Sequence, residues 1–114
     1  MKSFSGIVQK GARRGTELGF PTINIPVSDM EVSGIYAALV KVGEEKYRAA
    51  VFADGKRKVL EAYILDFSAD LYGWHVTVEL LKKIRESKTF PDDTKLKKAI
   101  SEDIEAARRY FEKV

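Results

Sequence analysis

The chain of 114 residues contains no cysteine and a single histidine, His75. The first absence excludes a disulfide framework, a thiolate metal site and a cysteine nucleophile. The second excludes histidine-rich zinc sites and leaves carboxylate or hydroxyl ligation of a hard cation as the open route to a metal. No apolar run approaches the length needed to span a bilayer. The opening "MKSFSGIVQK" also lacks the apolar stretch of a secretory leader, so a cytoplasmic protein without a membrane partner is expected. A strong charge of one sign is missing too. The formal net charge is +3 and the pI near 9.1, with positives scattered along the chain and mixed with acids toward the C-terminus. So mild an excess suits a small anionic ligand such as a nucleotide and offers no stripe for nucleic acid.

The composition that remains, 45% hydrophobic and 32% charged, belongs to a folded protein rather than a disordered one. The length predicts one domain over residues 1–114, large enough to bury a core without staples. β-branched and apolar runs over 4–10, 34–42, 46–53, 59–67 and 76–84 predict strands. Residues 43–45 read as a hairpin turn, and Asp54-Gly55 is a strong hairpin signal. No helical period separates these strands, which predicts an antiparallel barrel or sandwich. The ending differs. From Asp92 onward, Leu96, Ile100, Ile104, Ala107 and Phe111 recur at helical spacing. Asp92 and Asp93 are placed to cap that helix and complement its dipole. The expected fold is mainly β, a barrel with one C-terminal amphipathic helix.

The stretch "GARRGTELGFPTINIP", residues 11–26, crowds three glycines and two prolines around core-type side chains. Such a loop would let backbone N–H groups converge on an anion. It is neither a P-loop, because no Gly-Lys-Ser/Thr ends it, nor a dinucleotide fingerprint, because no helix pattern follows. Spacing alone equally allows a structural turn. In its ending, "GFPTIN", Pro21 sets an extended path and Thr22 and Asn24 alternate with Phe20 and Ile23. A hydroxyl and an amide are thus presented beside glycines, a set suited to phosphate oxygens and a hard cation.

Here the chain resembles the riboflavin kinase (flavokinase) family, which carries a glycine-punctuated loop running into Gly-Phe-Pro-Thr-x-Asn. The likeness continues in order through "SGIYAALV", "LEAYILDFSADLYGWHVTVELLKKIRESKTF" and "LKKAISEDIEAARRYF". The resemblance implies a six-stranded antiparallel Greek-key barrel with a C-terminal helix. It also implies transfer of the ATP γ-phosphoryl group to the riboflavin 5′-hydroxyl, giving FMN and ADP, with Mg2+ (or Zn2+ or Mn2+) as the metal. A monomer that binds no nucleic acid is expected.

By the same resemblance Glu61 is the catalytic base, and Thr22 and Asn24 hold the metal and phosphates. Gly11, Gly15 and Gly19 form the loop over the nucleotide, with Arg13 and Arg14 either contacting phosphate or only solubilising it. Arg85 and Phe90 belong to a flap beside the flavin. The plain alternatives are a turn cap for Thr22, a solvated strand face for Glu61, a surface ion pair for Arg85 and a core place for Phe90. Trp74 and His75 receive no role, and Asp66 and Asp70 read as caps of the turn between them. The chain departs from the family at 52–58, where "FADGKRK" replaces a longer Pro-Thr-containing loop, and at Tyr63, where the family has histidine. A non-catalytic flavin- or nucleotide-binding module of the same fold is therefore the second reading. A small barrel for single-stranded nucleic acid is a third, with Tyr47-Arg48 as its only aromatic–basic pair.

Overall fold

Two apolar faces on one strand need cover on both sides, and "GIYAALVKV" and "KYRAAVFAD" have two such faces. In the computed structural model, which describes residues 2–9, 18–67 and 70–114, both are buried from two directions. The strands are β1 (Lys2–Ile7), β2 (Ile23–Pro26), β3 (Gly34–Val42), β4 (Glu45–Asp54), β5 (Val59–Ile64) and β6 (His75–Arg85). They are followed by helix α1 (Asp93–Glu112). All paired strands are antiparallel, in the spatial order β1-β6-β3-β4-β5-β2. Within that order β6 returns beside β3 after the β3-β4-β5 meander, which is the Greek-key arrangement expected.

The sheet curls until its two edges nearly meet. Gln9 bridges Asn24, its N–H donating to the Asn24 carbonyl at 2.8 Å. Gly6 sits at this seam. A Cβ added there would lie 2.3 Å from the Pro26 carbonyl oxygen, so only glycine allows β1 and β2 to approach so closely.

Alternation then sorts the side chains. Val40, Val51, Leu60, Val76 and Val78 point into the barrel with Ile25 and Met30 and are fully buried. The opposite parity puts Ala37, Ala50, Leu39, Phe52, Tyr63 and Leu65 on the outer face. Ala37 and Ala50 are cross-strand partners with no exposed surface, and they leave room for α1 to approach the sheet. The helix answers with Ile100, Ile104, Ala107 and Phe111. Asp92 caps it, its carboxylate accepting from the Lys95 N–H at 2.9 Å.

The strands and helix read from the sequence are all present, with shifted ends. β1 ends at Ile7, and β5 stops at Ile64, because Asp66 takes the left-handed conformation at φ 56°. The hairpin at Asp54-Gly55 has a different cause from the one expected. Four residues separate Asp54 from its partner Val59, Asp54 accepts from the Lys56 and Arg57 N–H groups, and the positive φ falls on Lys58. Gly55 is needed for space instead. A Cβ there would meet the Glu31 and Val32 carbonyls, and its N–H donates to Ser33 Oγ at 2.8 Å. Phe20 has the same parity as Thr22 rather than alternating with it, and it packs on the outer face with Tyr63.

Candidate functional site

Strand register assembles the outer face into a row. Asn24 of β2 pairs with Glu61 of β5, Glu61 with Phe52 of β4, Phe52 with Ile35 of β3, and Ile35 with Arg85 of β6. Directly paired residues share a face, so these five side chains lie along one line across the barrel. Two register shifts between β3 and β6, at Ile35/Tyr36 and Ala37/Ala38, set Arg85 at the end of that line.

A cavity of about 200 Å³ lies over this row. Its wall includes Phe20, Ile35, Phe52, Phe90, Leu96 and Ile100, an apolar and aromatic lining, with Thr22, Glu61, Arg85, Ser87 and Lys88 as its polar groups. A second, larger cavity of about 470 Å³ also borders Thr22. Pro21, Ile23, Tyr63, Phe67, Asp66 and Arg108 are among its walls. Thr22 borders both.

Thr22 is the odd group in this site. Its Oγ1 is buried and has no hydrogen-bond partner among the described residues. Buried hydroxyls are normally satisfied, so an orphan at the junction of two cavities calls for an explanation. The hydroxyl is near enough to act on the Glu61 carboxylate without making a bond of normal geometry to it. Burial raises the Glu61 pKa above the ordinary 4.5 of a glutamate. Arg57 and the Thr22 hydroxyl pull it down, while Asp54 adds a smaller push upward. The net direction is up. Glu61 is half-buried on a wall of the aromatic cavity, not a solvated strand residue.

The remaining expected residues are placed as follows. Asn24 is 7% exposed and opposite Glu61 in the ladder, and it is not among the lining residues of either cavity. Gly19 takes φ 93°, a conformation that favours glycine, in the turn that leads into Phe20. Gly11, Arg13, Arg14 and Gly15 lie outside the described residues. Arg85 borders the aromatic cavity but is also tethered. Its Nε and Nη2 donate to the two carboxylate oxygens of Asp103 at 2.8 and 2.7 Å, and its Nη1 donates to the Glu86 carbonyl. Asp103 is 4% exposed on its side chain. Phe90 is half-buried, with Arg85 and Lys88 each 5.5 Å from its ring centroid.

Sequence reasoning passed over Asp103 and Arg108 here and gave Asp66 a different role. Asp103 sits on the edge of the apolar stripe of α1, and a carboxylate at such an edge signals a buried partner. Asp66 was read as a turn cap; Asp70 does cap, accepting from the Tyr72 N–H, but Asp66 pairs with Arg108 instead. Arg108 carried no signal, since its place beside the second cavity depends on docking of the helix. Among the described residues no group of three or more His, Cys, Asp or Glu side chains is arranged to hold a metal. No helix there is long and apolar enough to cross a membrane.

The riboflavin kinase family model (Flavokinase) matches residues 2–111. A bifunctional riboflavin kinase/FMN adenylyltransferase of Buchnera aphidicola from Acyrthosiphon pisum is 35% identical over 96% of this chain. Its counterpart in Escherichia coli K12 is 37% identical over 96%. The chain spans 38% of the length of each of these curated relatives. Among solved structures, a riboflavin kinase of Trypanosoma brucei superposes with a TM-score of 0.68 at 26% identity, covering 97% of this chain and 80% of that one. A Streptococcus pneumoniae chain described as a macrolide-efflux protein superposes with a TM-score of 0.79 at 29% identity, covering 93% of this chain and 36% of that one.

Proposed function

The chain belongs to the riboflavin kinase family, and on that premise we propose that it transfers the γ-phosphoryl group of ATP to the 5′-hydroxyl of riboflavin, forming FMN and ADP. One observation carries the reading: the orphan hydroxyl of Thr22 stands where the two cavities meet, beside a half-buried carboxylate. The aromatic cavity suits the flat isoalloxazine ring, which needs apolar walls and a few polar groups at its rim. The larger cavity, walled by Tyr63 and Phe67, takes the nucleotide. The two substrates then meet at Thr22.

In this reading Glu61 accepts the proton of the 5′-hydroxyl as the oxygen–γ-phosphorus bond forms and the bond to the β-phosphate oxygen breaks. Burial suits it to that task, because a raised pKa makes a stronger base than an exposed glutamate. The donor set also fits a magnesium ion. That ion prefers oxygen ligands and binds through few protein groups and the substrate's phosphates, and Thr22 Oγ1 is an oxygen with no hydrogen bond of normal geometry among the described residues. Thr22 and Asn24 would hold it. Bound there, the metal neutralises phosphate charge and orients the nucleotide.

The protein is incubated with riboflavin, Mg2+ and either ATP or CTP, and FMN is resolved by chromatography. The reading expects FMN from ATP that disappears on chelation of the metal. No FMN from either nucleotide, with flavin fluorescence still quenched on binding, would replace it by the non-catalytic flavin-binding module. The proposal extends to a cytoplasmic monomer, with size exclusion of the purified chain as the check on its oligomeric state.

A further inference from the structure

Asp66 and Arg108 are the charged side chains on the wall of the larger cavity, and Arg108 is its one cation among the described residues. Arg108 comes from the last third of α1 and Asp66 from the turn after β5. Arg108 Nη1 donates to both carboxylate oxygens of Asp66, at 3.0 and 3.1 Å. A single nitrogen thus makes both contacts, and the rest of the guanidinium has no described partner. Asp66 lies largely in water and Arg108 is half-buried, their side chains 78% and 34% exposed. Such a pair is weak and is readily exchanged for a better acceptor.

The pair does not hold the helix in place. Ile104, Ala107 and Phe111 bury the same stretch of α1 against Leu65, Ala37 and Ala50, so the Arg108 backbone is fixed whichever acceptor the guanidinium finds. The turn is fixed separately, with the Leu65 N–H donating to the Arg48 carbonyl at 2.8 Å. Asp66 itself is one of two described non-glycine residues at positive φ.

A nucleoside di- or triphosphate with one divalent cation still carries net negative charge. A cavity that takes it needs a cation and cannot leave a carboxylate facing the phosphates unopposed. We propose that Arg108 is a phosphate-binding residue for the nucleotide, held by Asp66 in the free protein and exchanging that carboxylate for phosphate oxygens when the nucleotide binds. The inference rests on assigning the nucleotide to this cavity, and it deepens the proposed function by naming the residue that recognises the phosphate chain from the helix side.

The test exploits the sign of two substitutions. Fluorescent mant-ADP with Mg2+ is titrated into the wild type, Arg108→Ala, Arg108→Lys and Asp66→Asn, and riboflavin binding is followed by flavin quenching in the same samples. The proposal expects Arg108→Ala to weaken nucleotide binding by about 10- to 100-fold, the span of one charge-assisted hydrogen bond. It expects Arg108→Lys to recover part of that loss and Asp66→Asn to bind as well as the wild type or tighter. Riboflavin binding should not move. If the pair is only a surface tether, both substitutions that break it act in the same direction, on melting temperature, and nucleotide affinity is unchanged. That result overturns the proposal. FMN formation by the wild type is scored in parallel. Its absence removes the kinase reading, while the nucleotide titration decides Arg108 in either case.

Discussion

Replacing Thr22 by valine separates the two explanations of the orphan hydroxyl. Valine keeps the branched shape and discards the oxygen. If the hydroxyl capped a turn, its loss would break a hydrogen bond and lower stability. Among the described residues it makes no hydrogen bond of normal geometry, only a weaker contact with the Glu61 carboxylate, so its burial costs the folded protein about 1–3 kcal/mol in lost hydration that is largely uncompensated. Thr22→Val should recover part of that, on the order of 1–2 kcal/mol. A chain of this length shifts its melting temperature by about 4 °C per kcal/mol, so the ligand-free variant should melt roughly 4–8 °C above the wild type. The ligand-bound state should respond in the opposite sense. At about a hundredfold excess over its dissociation constant, Mg-ADP stabilises a protein by about 2.7 kcal/mol. The wild type should show that shift and Thr22→Val most of its loss, because the oxygen donor to metal and phosphate is gone. Thermal melts of both proteins, with and without Mg-ADP, measure all four quantities. A variant that melts lower than the wild type and keeps its Mg-ADP shift refutes the reasoning and makes Thr22 a structural residue.

Glu61→Gln should cut turnover by about 10²- to 10⁴-fold, the usual contribution of a general base, with riboflavin and nucleotide binding nearly unchanged. Because the folded-state pKa of Glu61 is raised, the native protein holds that proton more tightly than the unfolded chain. Stability therefore falls as pH rises from the ordinary value of 4.5 through the raised one. Glu61→Gln should then melt above the wild type at neutral pH and alongside it below pH 4.5, and an equal melting temperature at neutral pH would contradict the burial argument. Asp103→Ala should cost about 3 kcal/mol in urea unfolding, since it strands Arg85 without its buried partner, and should also raise the riboflavin KM. A stability within error of the wild type would show the pair to be dispensable. Gly6→Ala should destabilise by about 1–3 kcal/mol as the new Cβ forces β1 away from Pro26, read by the same unfolding curve. A neutral result would mean that the seam yields without cost.

Much of the barrel was legible because its signals are local. β3 and β4 are apolar on both faces, and α1 repeats its apolar residues at helical spacing and carries a cap at Asp92. β2 is four residues long and begins after a proline, too short for alternation to identify. Gly55 shows the limit of local rules. Asp-Gly favours a hairpin by conformation, yet this glycine is needed because the 31–33 backbone, more than twenty residues earlier in the chain, passes against it. The site is less legible still. Asn24, Glu61, Phe52, Ile35 and Arg85 form one row only through the register of four strand pairs. Thr22, Asn24 and Glu61 were found through a family pattern, whereas Asp103 and Arg108 depend on how the helix lies across the sheet.

That placement gives α1 a role beyond covering the barrel. Successive helical residues turn by about 100°, which brings Ile100, Ile104, Ala107 and Phe111 within roughly 60° of one another as the docking stripe. On the same scale Asp103 falls about 70° to one side of that stripe and Arg108 about 70° to the other. Asp103 ties Arg85 beside the aromatic cavity and Arg108 overhangs the larger one. The helix, seated on the Ala37–Ala50 pair, thus tethers the charged group of one cavity through Asp103 and supplies that of the other as Arg108, while Thr22 borders both. If the two cavities hold the two substrates, substitutions that unseat the helix should weaken flavin and nucleotide binding together. Substitutions in the flanking charges should weaken one at a time. Ala107→Leu, which overfills a position with no exposed surface, is the variant for the first case, and Arg108→Ala and Asp103→Ala are those for the second. Loss of nucleotide binding alone in Ala107→Leu would place the aromatic cavity outside the helix's control.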